Sequence, residues 1–447
     1  MISDKHILYL FKDVIQVDNS LLEQLKIAVN ADTISIHASL KSYTEGAFNF
    51  ESPEINDSDK NTLDAITESV IKCGQNTDAL SSLFIELAEE EIPFLKLIHF
   101  FINEHYFKTS LTYDNHGRVL LEAVRDEYKA YLNYPIADVL ASALIHKLGL
   151  RNNMRKKLIF TCDYDIINIW DALGIYGSFK RLAKRLVYLN FYTFFREAYS
   201  VLFSHQWLHA NYMLNTGMYY MELENECKKL RANIEIDRIA FFLMSYTHKE
   251  YDIDNNFEAL SFKSFQELLK QEGIQTGIHP AYETINTPAL VAPQMDKFKT
   301  VFKQNAELNR FHFLHCNYPD CLEMLEIRGI KTDYSFYFTE NVNVFRGGTT
   351  RKFKMWDYTN DKVFNIDIIP ITIMECSLDQ YMGLDYTTAV DLSKRKLSYA
   401  YTLGQNICLL WHNTQIYYGQ TERDNYQYQL FGELKKHLLF LLSSANA

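Results

Sequence analysis

Four apolar stretches in the last two-thirds of the chain end in residues that can bind a metal or move a proton. Residues 157–163 run straight into Asp163–Tyr164–Asp165. Alternate positions of an extended chain share a face, so the two carboxylates point together, one suited to a cation and the other to a proton. Asp at such a place also serves as a helix N-cap. Gly277–Ile278–His279–Pro280 ends a second stretch in an imidazole. Arg310–Phe311–His312 places a guanidinium and an imidazole two apart, on the same face of one expected strand. An arginine buried there requires a carboxylate. Leu409–Leu410–Trp411–His412–Asn413 ends a fourth stretch in His412. A single histidine of this kind is commonly structural; four such endings in one domain form a candidate site.

The elements that must hold these residues follow from patterning. After residue 156, short apolar strands alternate with amphipathic stretches. Strands are expected at 157–163, 238–244, 275–279, 310–315, 331–335, 367–374 and 407–412. Helices are expected at 221–230, 262–272, 295–305 and 318–328, the last closed by Gly329. Such alternation predicts a parallel sheet covered by helices, either an open doubly wound sheet or a barrel, and the carboxyl ends of barrel strands are where sites sit. Residues 191–220 read as an aromatic-rich helical insert. Before residue 150 the pattern gives helices at 62–87, 92–106, 119–131 and 136–148 and short strands at 7–10 and 33–36, with a loop at 55–60. A boundary near Gln75–Asn76–Thr77 separates elements of one N-terminal unit.

Composition removes several classes. The 447 residues carry 45 basic and 56 acidic side chains, a net charge of −11, and no basic run long enough for a nucleic-acid stripe. No stretch reaches the roughly 18–20 apolar residues of a membrane span, and no cleavable leader is evident. Seven scattered cysteines, with Cys316 and Cys321 lacking a second pair at zinc-ribbon spacing, read as free thiols of a reducing, cytoplasmic compartment. Sixty-four aromatic residues can fill cores or offer flat faces to sugar rings.

The order of these strand endings resembles the polysaccharide deacetylase (NodB-homology) family, and more narrowly a bacterial branch of polysaccharide deacetylase-like proteins with an extra N-terminal domain. The resemblance runs from about residue 156 to the C-terminus. It implies a distorted (β/α) barrel at 156–447 and an N-terminal α/β accessory domain at 1–150. It also implies metal-dependent removal of an acetyl group from an N-acetylated sugar, such as a surface-glycan precursor. On this reading Asp163 is the base, Arg310 orients it, and His412 protonates the leaving amine. Asp165 and His279 bind a divalent metal, most naturally zinc. The family pattern has adjacent aspartates where Tyr164 intervenes here, and a second histidine where this chain has Glu283. His312 is therefore expected as the third ligand, with Glu283 in reserve. Phe345–Arg346–Gly347–Gly348–Thr349 resembles a turn of this branch, with Arg346 expected to meet substrate. Tyr164, Trp411 and Trp207 are candidate sugar platforms. His205 and His209, four apart on a helix, are read as structural. The alternative is a barrel without catalysis that binds a glycan or a partner protein.

Overall fold

The computed structural model describes residues 4–16, 28–29, 34–35, 55–74, 76–150, 156–167, 234–247, 251–415 and 426–444, with scattered positions between 179 and 226. The expected insert at 191–220, with Trp207, His205 and His209, lies largely outside the described residues, as does most of the helix expected at 221–230.

The site is carried by a parallel sheet. Its strands are β1 (Lys156–Tyr164), β2 (Ile234–Leu243), β3 (Gln275–His279), β4 (Leu308–Asn309), β5 (Thr332–Asp333), β6 (Asp367–Ile368), β7 (Ile373–Met374) and β8 (Asn406–His412). They lie in the order β6-β5-β4-β3-β2-β1-β8-β7, and every pairing is parallel. From Leu158 to Tyr164 every residue of β1 is buried, as expected for a strand covered on both faces. The two edge strands are pieces of one extended stretch. At its start the Ile369 amide donates to the Asp333 carbonyl (2.9 Å), and at its end the Thr372 amide donates to the Cys408 carbonyl (2.7 Å). This stretch leaves β5 and joins β8, which bends the sheet round on itself.

Alternation along the strands separates two environments. Ile159, Ile239, Phe241, Tyr334, Ile369 and Cys408 form a cluster inside the curled sheet. Leu158, Phe160, Cys162, Phe242 and Leu409 belong to the large core outside it, under the helices. Gly277 on β3 makes the interior possible, because a Cβ there would lie 2.4 Å from the Phe241 ring. Outside pack α5 (Leu260–Gln271), α6 (Val291–Phe302), α7 (Asp320–Ile327), α8 (Tyr386–Thr402) and α9 (Tyr426–Ser444).

The strand expected at 310–315 does not form there: β4 lies just before it, at Leu308–Asn309, and residues 312–314 form a tight turn with positive φ at Phe313 and Leu314. The turn is held from outside the sheet by Arg118, which donates to the Phe313 carbonyl.

Residues 57–147 supply four helices longer than two turns, α1 (Asp57–Cys73), α2 (Thr77–Glu89), α3 (Phe94–Ile102) and α4 (Ile136–Lys147). The long helix expected at 62–87 is divided at Gly74, which takes positive φ. Residues 119–131, with helical spacing, form only short turns, because Leu120 and Val124 are extended and Val124 bridges to Phe107. Residues 7–10, expected as a strand, continue a helix from Asp4, while Ile34–Ser35 is a strand.

These helices share the large hydrophobic core with the sheet, and the region they belong to grips one loop that follows β5. Glu104 takes two hydrogen bonds from Arg346, Nε to Oε1 (2.7 Å) and Nη2 to Oε2 (3.0 Å). Asp138 accepts from the Thr349 hydroxyl (2.5 Å) and from the amide and hydroxyl of Thr350 (2.8 Å each). Gly348, at φ +59°, sits where a Cβ would be 2.8 Å from Ile136. The glycine turn thus brings backbone against a helix, and Arg346, only 6% exposed, is a buried ion-pair partner rather than a substrate contact. Removing one member of such a pair leaves the other charge buried and uncompensated. Glu104→Ala is expected to lower stability by about 3–5 kcal/mol, read from urea denaturation midpoints; a loss below about 1 kcal/mol would show that the pair does not hold this loop.

Candidate metal centre and acid–base site

Register sets the site. Asp163 lies opposite His412 on β8, and Leu243 opposite His279 on β3. Ile278 pairs with Asn309, so Arg310 follows beside His279. The carboxyl ends of neighbouring strands therefore bring Asp163, Asp165, His279, Arg310, His312 and His412 together, at the end of a parallel sheet where such sites form.

Each imidazole is anchored through Nδ1. His279 Nδ1 is 2.6 Å from the Arg310 carbonyl. A carbonyl only accepts, so Nδ1 carries the hydrogen and Nε2 keeps its lone pair. His312 Nδ1 faces Asp252 Oδ1 at 3.2 Å, and His412 Nδ1 faces Glu375 Oε1 at 2.6 Å. All three Nε2 atoms turn toward Asp165, at 3.2 Å from His279, 3.7 Å from His312 and 3.9 Å from His412. Asp165 Oδ1 and His279 Nε2 are buried without a hydrogen-bond partner. Two acceptors facing each other at 3.2 Å in a buried site call for a cation between them. Asp165, His279 and His312 form a group whose donor atoms lie within 4.8 Å of one another, and an N, N, O set suits zinc or another first-row divalent ion. Glu283 is not part of that group.

Asp163 is held differently. Its Oδ1 accepts from Arg310 Nη1 (3.3 Å), while Arg310 Nε donates to the Tyr334 carbonyl (3.0 Å) and the guanidinium lies 4.9 Å from the Phe241 ring. Asp163 Oδ2 stands 3.8 Å from His279 Nε2 and 4.0 Å from His412 Nε2. Burial acts to raise the Asp165 carboxyl, but whenever the facing imidazoles of His312, His279 and His412 are protonated they outweigh it and hold the group below the usual carboxylate range. For His412, burial acts to lower the imidazole; the Glu375 carboxylate outweighs it and lifts His412 well above its ordinary value.

A cavity of about 140 Å³ opens onto these groups. Leu314, Met374 and Leu410 give it an apolar wall, Cys376 and His412 a polar one, and Arg118 reaches it from the N-terminal region. Arg118 donates Nη1 to the Phe313 carbonyl (2.9 Å) and pairs with Asp114 (2.6 Å), which holds the turn bearing His312. Burial pushes the Cys376 thiol up to about 12, with Glu375 adding to the effect.

Two expected sugar platforms lie elsewhere. Tyr164 stacks on Phe242 at 4.9 Å, and Trp411 meets Phe431 at 5.2 Å, both beneath the helices. The period of two explains this: with Asp163 and His412 turned inward, the residue next to each must turn outward. Asp252, Glu375 and Arg118 were not singled out in the sequence. Glu375 follows β7 directly and carries the same strand-end signal as Asp163, whereas Asp252 lies in a loop without a motif.

No family model matches the chain, and no curated protein matches it. Solved structures similar to it include a Mycobacterium smegmatis protein described as a polysaccharide deacetylase, at 10% identity over 64% of this chain and 86% of that one, TM-score 0.35. Another is the polysaccharide deacetylase Bc1974 from Bacillus cereus, at 14% identity over 49% and 81%, TM-score 0.24. Among the described residues, no helix is long and apolar enough to cross a membrane.

Replacing Glu375 by Gln removes the charge that lifts His412. Its imidazole is expected to titrate at lower pH in Glu375→Gln than in the wild type, followed by NMR. In the wild type the stabilisation from charged His412 is complete below pH about 6.5 and lost as pH rises through the elevated folded value. An unchanged His412 titration would contradict the assigned pairing.

Proposed function

We propose that the chain is a metal-dependent hydrolase that removes the acetyl group from an N-acetylated sugar, using a site of two aspartates, three histidines and an arginine. The observation that carries this reading is the convergence of three Nδ1-anchored imidazoles on Asp165, with Asp165 Oδ1 and His279 Nε2 buried and unpartnered. Asp165, His279 and His312 would hold the ion. A divalent cation there polarises an amide carbonyl and acidifies the attacking water.

The remaining chemistry belongs to the chain's own side chains. Asp163, held at Oδ1 by Arg310, accepts the proton of the attacking water at Oδ2. His412, charged through Glu375, donates a proton to the departing nitrogen as the carbon–nitrogen bond breaks, giving acetate and a primary amine. The proton taken up by Asp163 is then released to solvent and His412 takes one up again beside the Glu375 carboxylate, which returns both groups to their starting states. The small cavity beside Leu314, Met374 and Leu410 suits a methyl-bearing acyl group. We assign residues 156–447 to the hydrolase barrel and residues 1–150 to an accessory unit that braces it through Glu104, Asp138 and Arg118. A surface-glycan precursor is the substrate class this reading favours.

Wild-type protein incubated with zinc, cobalt or nickel is expected to retain about one divalent ion per chain, lost in an Asp165→Ala, His279→Ala double variant. Acetate release from N-acetylated sugars is expected to fall on the order of 10²- to 10⁴-fold in Asp163→Asn, with the ion retained. A wild type that holds no metal under these conditions, or an ion held equally by the double variant, would overturn the ligand assignment.

A further inference from the structure

A second cavity, about 410 Å³, lies away from the strand ends, where residues 133–134, the loop at 341–343 and helix α8 meet. Its lining is unusual in charge. Arg395 and Lys396 are its ionisable cations, three amides (Asn133, Asn341 and Asn343) surround them, and no carboxylate lines it. Lys396 is 3% exposed. Its Nζ donates to the Val344 carbonyl (2.6 Å) and sits 4.7 Å from the Phe345 ring and 5.3 Å from the Tyr337 ring. Among the described residues, neither Lys396 nor Arg395 is paired with a carboxylate. This sets Lys396 apart from Arg346, which has Glu104, and Arg310, which has Asp163. Burying an ammonium without a counter-charge is costly, and burial indeed pushes Lys396 well below its ordinary value. A fold that needed only packing at this position would be served better by an apolar side chain.

We infer that this cavity binds a small anionic, hydroxyl-rich ligand, a sugar bearing a phosphate or carboxylate, with Lys396 and Arg395 on the anion. The amides fit the rest. Each carries both donors and acceptors, which matches hydroxyl groups and not a bare anion. Tyr134 and Tyr399, edge to face at 5.1 Å, offer a ring face at the rim for a sugar. The loop that carries Asn341 and Asn343 is fixed from both sides: Phe345 N donates to the Leu132 carbonyl (2.6 Å), and Asn343 N to the Asn341 side chain (2.9 Å). The cavity is therefore built before a ligand arrives. The inference does not depend on the reading of the metal centre, since the two cavities share no lining residue.

Isothermal titration calorimetry with glucose 6-phosphate, glucuronate, glucose and inorganic phosphate tests it on the full chain. Saturable binding of glucose 6-phosphate or glucuronate is expected, with glucose and phosphate each at least tenfold weaker; which of the two acids binds more tightly identifies the anion. Lys396→Met is expected to weaken binding at least tenfold while leaving the melting temperature unchanged or higher, and Arg395→Gln, on the exposed rim, to weaken it several-fold. Absence of saturable binding by both acids would overturn the proposal, as would equal binding by wild type and the Lys396→Met, Arg395→Gln double variant. A markedly lower melting temperature in Lys396→Met would also count against it, because it would make the lysine a structural group.

Discussion

The arrangement depends on how the Nδ1 atoms of three histidines are held. His279 gives its Nδ1 hydrogen to a backbone carbonyl, while His312 and His412 each meet a carboxylate through Nδ1. Fixing one ring nitrogen decides what the other can offer, and second partners of this kind orient the ligands of metal sites generally. Here the consequence is a cluster of Nε2 atoms aimed at one carboxylate, with no hydrogen left between His279 and Asp165. The same device gives a different result at His412, where the partner is an ionised Glu375 and the imidazole is biased toward its charged form. A carbonyl partner leaves Nε2 of His279 free to bind, whereas the buried Glu375 carboxylate, which also accepts from the His412 amide (2.7 Å), holds the His412 ring and favours its charged form.

Such precision requires the strand ends to stay in register. The curl of the sheet provides it, because the single stretch 367–374 bonds to β5 at one end and to β8 at the other. That stretch also leads into Glu375, so closing the sheet and charging His412 are tasks of adjacent residues. The N-terminal helices add a brace from outside. Glu104 and Asp138 clamp the loop at 346–351, and Arg118 holds the Phe313 carbonyl next to His312. The buried charges of this brace are all paired, whereas Lys396 on α8 has no carboxylate partner among the described residues; the contrast is what separates a structural charge from one awaiting a ligand.

Much of the site could be read from the chain. Asp163, Asp165, His279, Arg310, His312 and His412 all stand at ends of apolar runs, and parallel strands bring such ends together without any knowledge of loops. Glu375 gave the same signal in weaker form, at the end of a strand only two residues long. Tyr164 and Trp411 pack beneath the helices rather than at the site, as the period of two already requires of residues next to the inward-facing Asp163 and His412. Arg346 and its glycines could not be placed, since nothing local shows that Glu104, 242 positions away, is their partner. Asp252 and Arg118 reach the site through tertiary packing alone. Likewise, helical spacing at 119–131 yielded to extended residues that bridge to Phe107, a contact outside the segment.

The most direct test is nitrogen-15 NMR of the imidazoles at neutral pH, with assignments from single His279→Gln and His312→Gln variants, before and after addition of zinc. The account predicts that Nδ1 of both histidines is protonated in the metal-free protein and that zinc shifts the Nε2 resonances while leaving Nδ1 protonated. Protonated Nε2 in the metal-free protein, or zinc-induced changes at Nδ1 instead, would contradict it.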